Sequence, residues 1–221
     1  MRGYDPAAPG DAPDAAAAVE GADVVLSVNS ARFAAEVAAG ALPSLGDGAV
    51  YADLNTAAPR LKRELARLVG TRFADVALLG PVPARGIGTP ALASGPAAQG
   101  FAGALGPHGM PVRVVSEEPG DAAAMKLVRS VFMKGLAASA VESVRAAEAA
   151  GQAEWLRDEI AAVIGRPLLD RLLEGSRTHA GRRVDEMQAA GELLRELGVA
   201  PTMADASAAL LTELARGQGT G

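Results

Sequence analysis

Glycine and proline punctuate the first 120 residues and thin out after them, and this switch constrains the fold more than any single motif. Before it, short apolar runs alternate with stretches of helical spacing. Val24 to Val28, Val50 to Leu54, Phe73 to Leu79 and Val112 to Ser116 are rich in β-branched or aliphatic residues, as buried strands are. Ala91 to Gly95 is a candidate for one more short strand. Arg32 to Ala39 and Pro59 to Leu68 show three-and-four spacing, with Pro59 placed as a first-turn proline after an Asn55-Thr56 turn. Strands alternating with helices imply parallel pairing through right-handed crossovers, hence an α/β sheet. After Gly120 the pattern is helical to the end: Asp121 to Ala150, Gln152 to Ile164, Pro167 to Leu173, Gly181 to Leu197 and Pro201 to Arg216, with GRP and GVAP as breaks. The EPGD stretch, Glu118 to Asp121, reads as a hinge, with Asp121 as the N-cap of the long helix. A sheet domain over residues 1–118 followed by an all-α domain over 119–221 is the expected organisation, and the closing GQGTG is expected to fray.

Composition narrows the function. A 49% hydrophobic share over 221 residues is ample for a buried core. The net charge of -5, with basic residues interspersed among acids, argues against a nucleic-acid surface. With no cysteine there is no disulfide framework and no thiolate metal site, and two distant histidines make no zinc site. The start lacks the basic-then-apolar order of a secretory signal. Charges interrupt every apolar run before the roughly eighteen residues that a membrane helix needs. A cytoplasmic protein is expected, and the absence of Gly-x-Ser-x-Gly leaves a hydrolase nucleophile elbow without support.

Only three of the 21 basic residues are lysines. Two of them, Lys126 and Lys134, lie about two turns apart in the long helix and so face roughly one side. An amine can lose its proton where a guanidinium cannot, so the pair hints at proton transfer; two lysines on a solvated stripe is the plain alternative. Arg85, in the Gly/Pro-rich loop after the third strand, presents a fork that matches a carboxylate. His179, beside Arg182 and Arg183, reads as a solvent-facing residue.

The order of motifs resembles the β-hydroxyacid dehydrogenase superfamily, the group of 3-hydroxyisobutyrate and 6-phosphogluconate dehydrogenases, entered at its second strand. RGYDP, residues 2 to 6, is similar to that family's second-strand end, where an acidic residue holds the adenosine ribose, so the resemblance maps Asp5 there. GADVVLSV, residues 21 to 28, resembles the strand whose end passes under the cofactor, which brings in Ser27, Val28 and Asn29. YADLNTAAP, residues 51 to 59, is similar to the family's Asp-x-Ser/Asn-Thr-x-x-Pro stretch and places Asn55 and Thr56 beside nicotinamide and substrate. LLGPVPARG, residues 78 to 86, stands where the family carries a Pro-Val-Ser-Gly-Gly substrate loop; Arg85 and Gly86 occupy it here in place of the serine and paired glycines. GDAAAMKLVRS, residues 120 to 130, resembles the Gly-x-x-x-x-x-Lys-x-x-x-Asn helix, mapping the catalytic lysine onto Lys126 and putting Ser130 in place of the asparagine. Lys134, one turn further, would meet a substrate anion. The closing helices look like a short phosphogluconate-dehydrogenase-like C-terminal domain.

The resemblance implies an NAD(P)-dependent oxidoreductase acting on a small molecule, with NADP or NAD as cofactor, Lys126 as proton shuttle, and a homodimer. The fold expected is an incomplete Rossmann-like, mostly parallel sheet followed by the helical domain. The first strand-turn-helix unit with its Gly-x-Gly-x-x-Gly is missing: Gly86-Ile87-Gly88 is followed by Thr89-Pro90 and lacks the required context. Loss of that unit would turn Val24 to Val28 into an exposed apolar edge and weaken dinucleotide affinity. A late start, a refolded N-terminal segment or a second chain are the three ways to account for it. The alternative function is a cofactor-independent proton-transfer enzyme or a non-catalytic dimeric binding module.

Overall fold

The structure, a computed structural model, describes residues 2–8 and 10–217, which form two compact units, Met1–Lys126 and Leu127–Gly221. Unit 1 is built on five strands, β1 (Val24–Ser27), β2 (Val50–Asp53), β3 (Phe73–Leu78), β4 (Ala91–Ser94) and β5 (Val112–Ser116), laid side by side in chain order. The pairs β1/β2, β2/β3 and β4/β5 are parallel, whereas β3/β4 is antiparallel. The sheet is mostly parallel, as the alternation rule predicts. The exception arises where the connection holds only a one-turn helix, α4 (Val82–Arg85), instead of a crossover helix spanning the sheet.

Successive side chains point to opposite faces, and this places the core. Tyr51 of β2 and Phe73 of β3 pack on one face with Ala34 and Ala38 of α2 (Ala34–Ala41), Leu65 and Val69 of α3 (Pro59–Val69), and Val19 of α1 (Ala15–Val19). Ala52, Ala74, Val76 and Ala93 face the other way, toward Phe101 of α5 (Ala98–Leu105). Each fully buried large side chain contributes roughly 1.5–3 kcal/mol. The helices α1 and α5 escape the sequence reading because alanine and glycine carry too little periodic hydrophobic signal.

β1 is an edge strand, paired only with β2, and Leu26 and the following Val28 are exposed there. Residues 2–6 do not form the strand that the resemblance implied. Asp5 instead closes a tight turn: its Oδ1 accepts the Ala7 amide at 2.8 Å, and a single bridge joins Asp5 to Ala8. Such a local side-chain bond competes with extended pairing.

The long helix α6 (Asp121–Ala149) starts at Asp121 itself, so Asp121 is not its cap. The sheet supplies the caps. Ser94 Oγ accepts the Ala122 amide at 3.0 Å, and Asp75 Oδ2 accepts the Ala123 amide at 3.0 Å. Gly120 makes the approach possible, because its φ of +103° suits glycine and a Cβ would lie 2.9 Å from the Pro59 carbonyl oxygen.

Unit 2 holds the rest of α6 with α7 (Ala153–Ile164), α8 (Arg166–Thr178), α9 (Ala180–Glu196) and α10 (Thr202–Gly217). Its core gathers Leu169, Leu172, Met187, Leu193 and Leu211. α9 and α10 pack closely where the small residues Ala190, Gly191 and Ala204 are buried. α8 runs longer at both ends than the apolar pattern suggested. The GQGTG end, beyond Gly217, lies outside the described residues. Among the described residues, no helix is long and apolar enough to cross a membrane.

Candidate active site

Parallel strands deliver their C-terminal ends to one edge of a sheet, and in open α/β sheets that edge is where ligands bind. Here it carries Ser27 at the end of β1, and Asp53, Asn55 and Thr56 at and after the end of β2. Asn55 is buried. Its Nδ2 donates to Asn29 Oδ1 at 2.6 Å and, in a short contact, to Asp53 Oδ1, and it lies 3.5 Å from Ser27 Oγ. Its Oδ1 is buried with no hydrogen-bond donor among the described residues. A narrow crevice lined by Asn55, Thr56, Ala77, Ala123 and Lys126 opens beside it.

Lys126, the last residue of unit 1, is half-buried on the second turn of α6, and its Nζ donates to Thr56 Oγ1 at 2.6 Å. The structure thus brings together Ser27, Asn29, Asn55, Thr56 and Lys126. Val28 is solvent-exposed beside them. Asp5 sits in its exposed N-terminal turn, and Arg85 and Gly86 sit in the exposed turn around α4, with the Arg85 side chain near Gly80.

The third lysine, Lys62 of α3, was not singled out in the sequence, yet it is fully buried beneath this edge. Its Nζ lies 2.6 Å from Asp53 Oδ2, 2.9 Å from the Asp53 carbonyl oxygen and 3.1 Å from Asp75 Oδ1. Desolvation alone would pull its pKa down, but the Asp75 and Asp53 carboxylates outweigh that and hold it above the ordinary lysine value. Lys62 is therefore a locked cation. A signal for it existed: Lys62, Leu65 and Val69 share one stripe of α3, and Asp53 and Asp75 each sit in an otherwise apolar strand.

In unit 2, Ser130 is buried and donates in a short contact to Glu186 Oε1 on α9. Lys134 donates to the same oxygen at 3.1 Å and also lies 3.1 Å from Oε2. Burial depresses the Lys134 pKa, the nearby Arg183 and Arg129 add to this, and Glu186 opposes it without prevailing. Lys134 is a half-buried partner of Glu186, a residue whose role the sequence did not reveal. His179 is exposed at the junction of α8 and α9. Among the described residues no group of three or more His, Cys, Asp or Glu is placed to hold a metal ion.

Comparison with known proteins places this geometry in context. Residues 147–214 match the family model described as Domain of unknown function (DUF1932). A conserved hypothetical protein from Sinorhizobium meliloti 1021, of known crystal structure, is 33% identical, with 90% of this chain and 69% of that one aligned at a TM-score of 0.69. The conserved protein MTH1747, of unknown function and described as structurally similar to 3-hydroxyacid dehydrogenases, is 29% identical over 89% of this chain and 77% of its own, at a TM-score of 0.67. The fold alone is shared, at 15% identity and a TM-score of 0.74, with Mycobacterium tuberculosis 3-hydroxyisobutyrate dehydrogenase, covering 92% of this chain and 78% of that one. An uncharacterized 28.5 kDa protein of Methanothermus fervidus is 26% identical over 142 residues, which are 62% of this chain. The chain spans about half of that relative's length, 55%.

Proposed function

Because this chain belongs to the β-hydroxyacid dehydrogenase superfamily, we propose that it carries out an NAD(P)-dependent oxidoreduction of a small hydroxy or imine compound, with Lys126 moving the proton. The observation that carries this reading is the 2.6 Å contact of Lys126 Nζ with Thr56 Oγ1, beside a buried Asn55 Oδ1 that has an acceptor to offer. The residues present suit the nicotinamide end of a dinucleotide. Asn55 spends its Nδ2 within the protein and keeps its Oδ1 for an incoming donor such as a carboxamide, while Ser27 and Asn29 hold its orientation. When bound, the dinucleotide supplies or accepts a hydride. Thr56 orients the Lys126 amine, which gives its proton to the substrate oxygen or nitrogen in reduction and takes it back in oxidation.

The substrate is a small molecule, and Arg85 with Gly86 is the candidate recognition turn for a carboxylate on it. A second copy of the chain is the proposed partner. Val128 and Phe132, one turn apart on α6, are large apolar side chains left exposed, a surface suited to a homodimer. A cytoplasmic location agrees with the cysteine-free composition.

Calorimetric titration of the 221-residue chain with NADPH and NADH tests the reading. Saturable binding that Asn55→Leu abolishes is expected. Failure of both dinucleotides to bind at millimolar concentration would overturn it in favour of cofactor-independent proton transfer or a binding module.

A further inference from the structure

The geometry points to Lys62 as the residue that positions the Lys126–Thr56 pair, acting through Asp53 on one side and Asp75 on the other; this rests on the reading of Lys126 as the proton carrier. Lys62 Nζ meets Asp53 and Asp75. It holds two arms that end on that pair. Along the first arm, Nζ fixes both Asp53 Oδ2 at 2.6 Å and the Asp53 carbonyl at 2.9 Å, leaving Oδ1 to accept from Asn55 Nδ2. Thr56 follows directly in the chain, so the backbone that carries the acceptor hydroxyl is tied down at Asp53 and Asn55. Along the second arm, Nζ lies 3.1 Å from Asp75 Oδ1, and Asp75 Oδ2 accepts the Ala123 amide at 3.0 Å and the Ser94 hydroxyl at 3.2 Å. Ser94 in turn accepts the Ala122 amide. These contacts set the first turn of α6, and Lys126 lies one turn beyond it.

The charges explain why a cation is needed at this position. Two buried carboxylates face one ammonium, and the remaining negative charge lies against the positive N-terminal end of a 29-residue helix. Without Lys62 the two carboxylates would be left in a dry interior without the cation they share, and they would no longer be held in place. Release of either one moves Asn55 or the start of α6.

Three lysines in the chain make the test direct, because 13C-lysine labelling of the full chain yields three side-chain signals. In the parent, Thr56→Val is expected to move the Lys126 signal. In Lys62→Met that response is expected to be lost while circular dichroism shows a folded chain. If Lys62→Met does not fold, the charge-matched Lys62→Met/Asp53→Asn chain takes its place. A folded variant in which Thr56→Val still moves Lys126 as in the parent overturns the positioning role. On any substrate the chain turns over, the same variant is expected to lose kcat and keep KM; a rise in KM alone, or no change, overturns it too. Undiminished turnover in Lys126→Met would instead remove the proton-carrier reading and leave the Thr56–Lys126 coupling as measured, so the two failures are distinguishable.

Discussion

Each unit sets a lysine against carboxylate, fully buried in unit 1 and half-buried in unit 2, and the two amines respond in opposite directions. Lys62 meets Asp53 and Asp75 and is held protonated; Lys134 meets Glu186, with Arg183 and Arg129 nearby, and its proton is loosened. Desolvation penalises both cations. The number and sign of the neighbouring charges decide the outcome. The first arrangement makes a fixed brace, and the second makes an amine closer to giving up its proton.

The sharpest way to break this comparison is Lys62→Met, expected to destabilise unit 1 by about 3–5 kcal/mol because it strands two buried carboxylates. Urea unfolding measures it, and a loss below 1 kcal/mol would show that the brace is not needed. The charge-matched Lys62→Met/Asp53→Asn chain is expected to recover much of that loss, since a neutral replacement of a buried pair is often tolerated. In unit 2 the smaller change Ser130→Ala removes one hydrogen bond to Glu186 and is expected to cost about 1.5–3 kcal/mol, read in the same unfolding experiment.

The pH dependence carries the opposite signs of the two shifts. Lys62 has a folded pKa above its ordinary 10.5, so its stabilisation is fully present below that value and is lost as pH rises through the higher folded pKa. Lys134 has a folded pKa below 10.5, so between the two values the unfolded chain binds more protons and stability rises with pH. Lys134→Met is therefore expected to flatten an upward slope of stability just below pH 10.5. An unchanged slope would mean that Glu186 holds the proton on Lys134 after all. The smallest effect is expected for Arg60→Ala, which breaks the exposed Arg60–Glu64 pair and should cost no more than about 0.5 kcal/mol.

Part of the candidate site is legible in the sequence. Motif order points to Asn55, Thr56 and Lys126, and the structure hydrogen-bonds Lys126 to Thr56 and lines one crevice with all three. Lys62 was passed over because a lysine in an amphipathic helix reads as a surface residue until the face it occupies is known. Glu186 was passed over for the same reason, being one acid among many on a charged helix. Asp5 was read as a strand end, but its side chain closed a local turn first. The cap of α6 was assigned to the nearest acid in sequence, whereas residues 28 and 48 positions away supply it.

The sequence by itself determined the sheet-then-helices order, the five described strands to within a residue, the short Ala91 strand included, and the large helices of the second half, because hydrophobic period, glycine and proline act locally. Only the tertiary structure decided that β4 runs against β3, that the sheet caps α6, and that Lys62 lies under the site between two aspartates. Those features depend on which residues distant in the chain meet in a dry interior, and a buried charge gains its meaning from partners that no local pattern reveals.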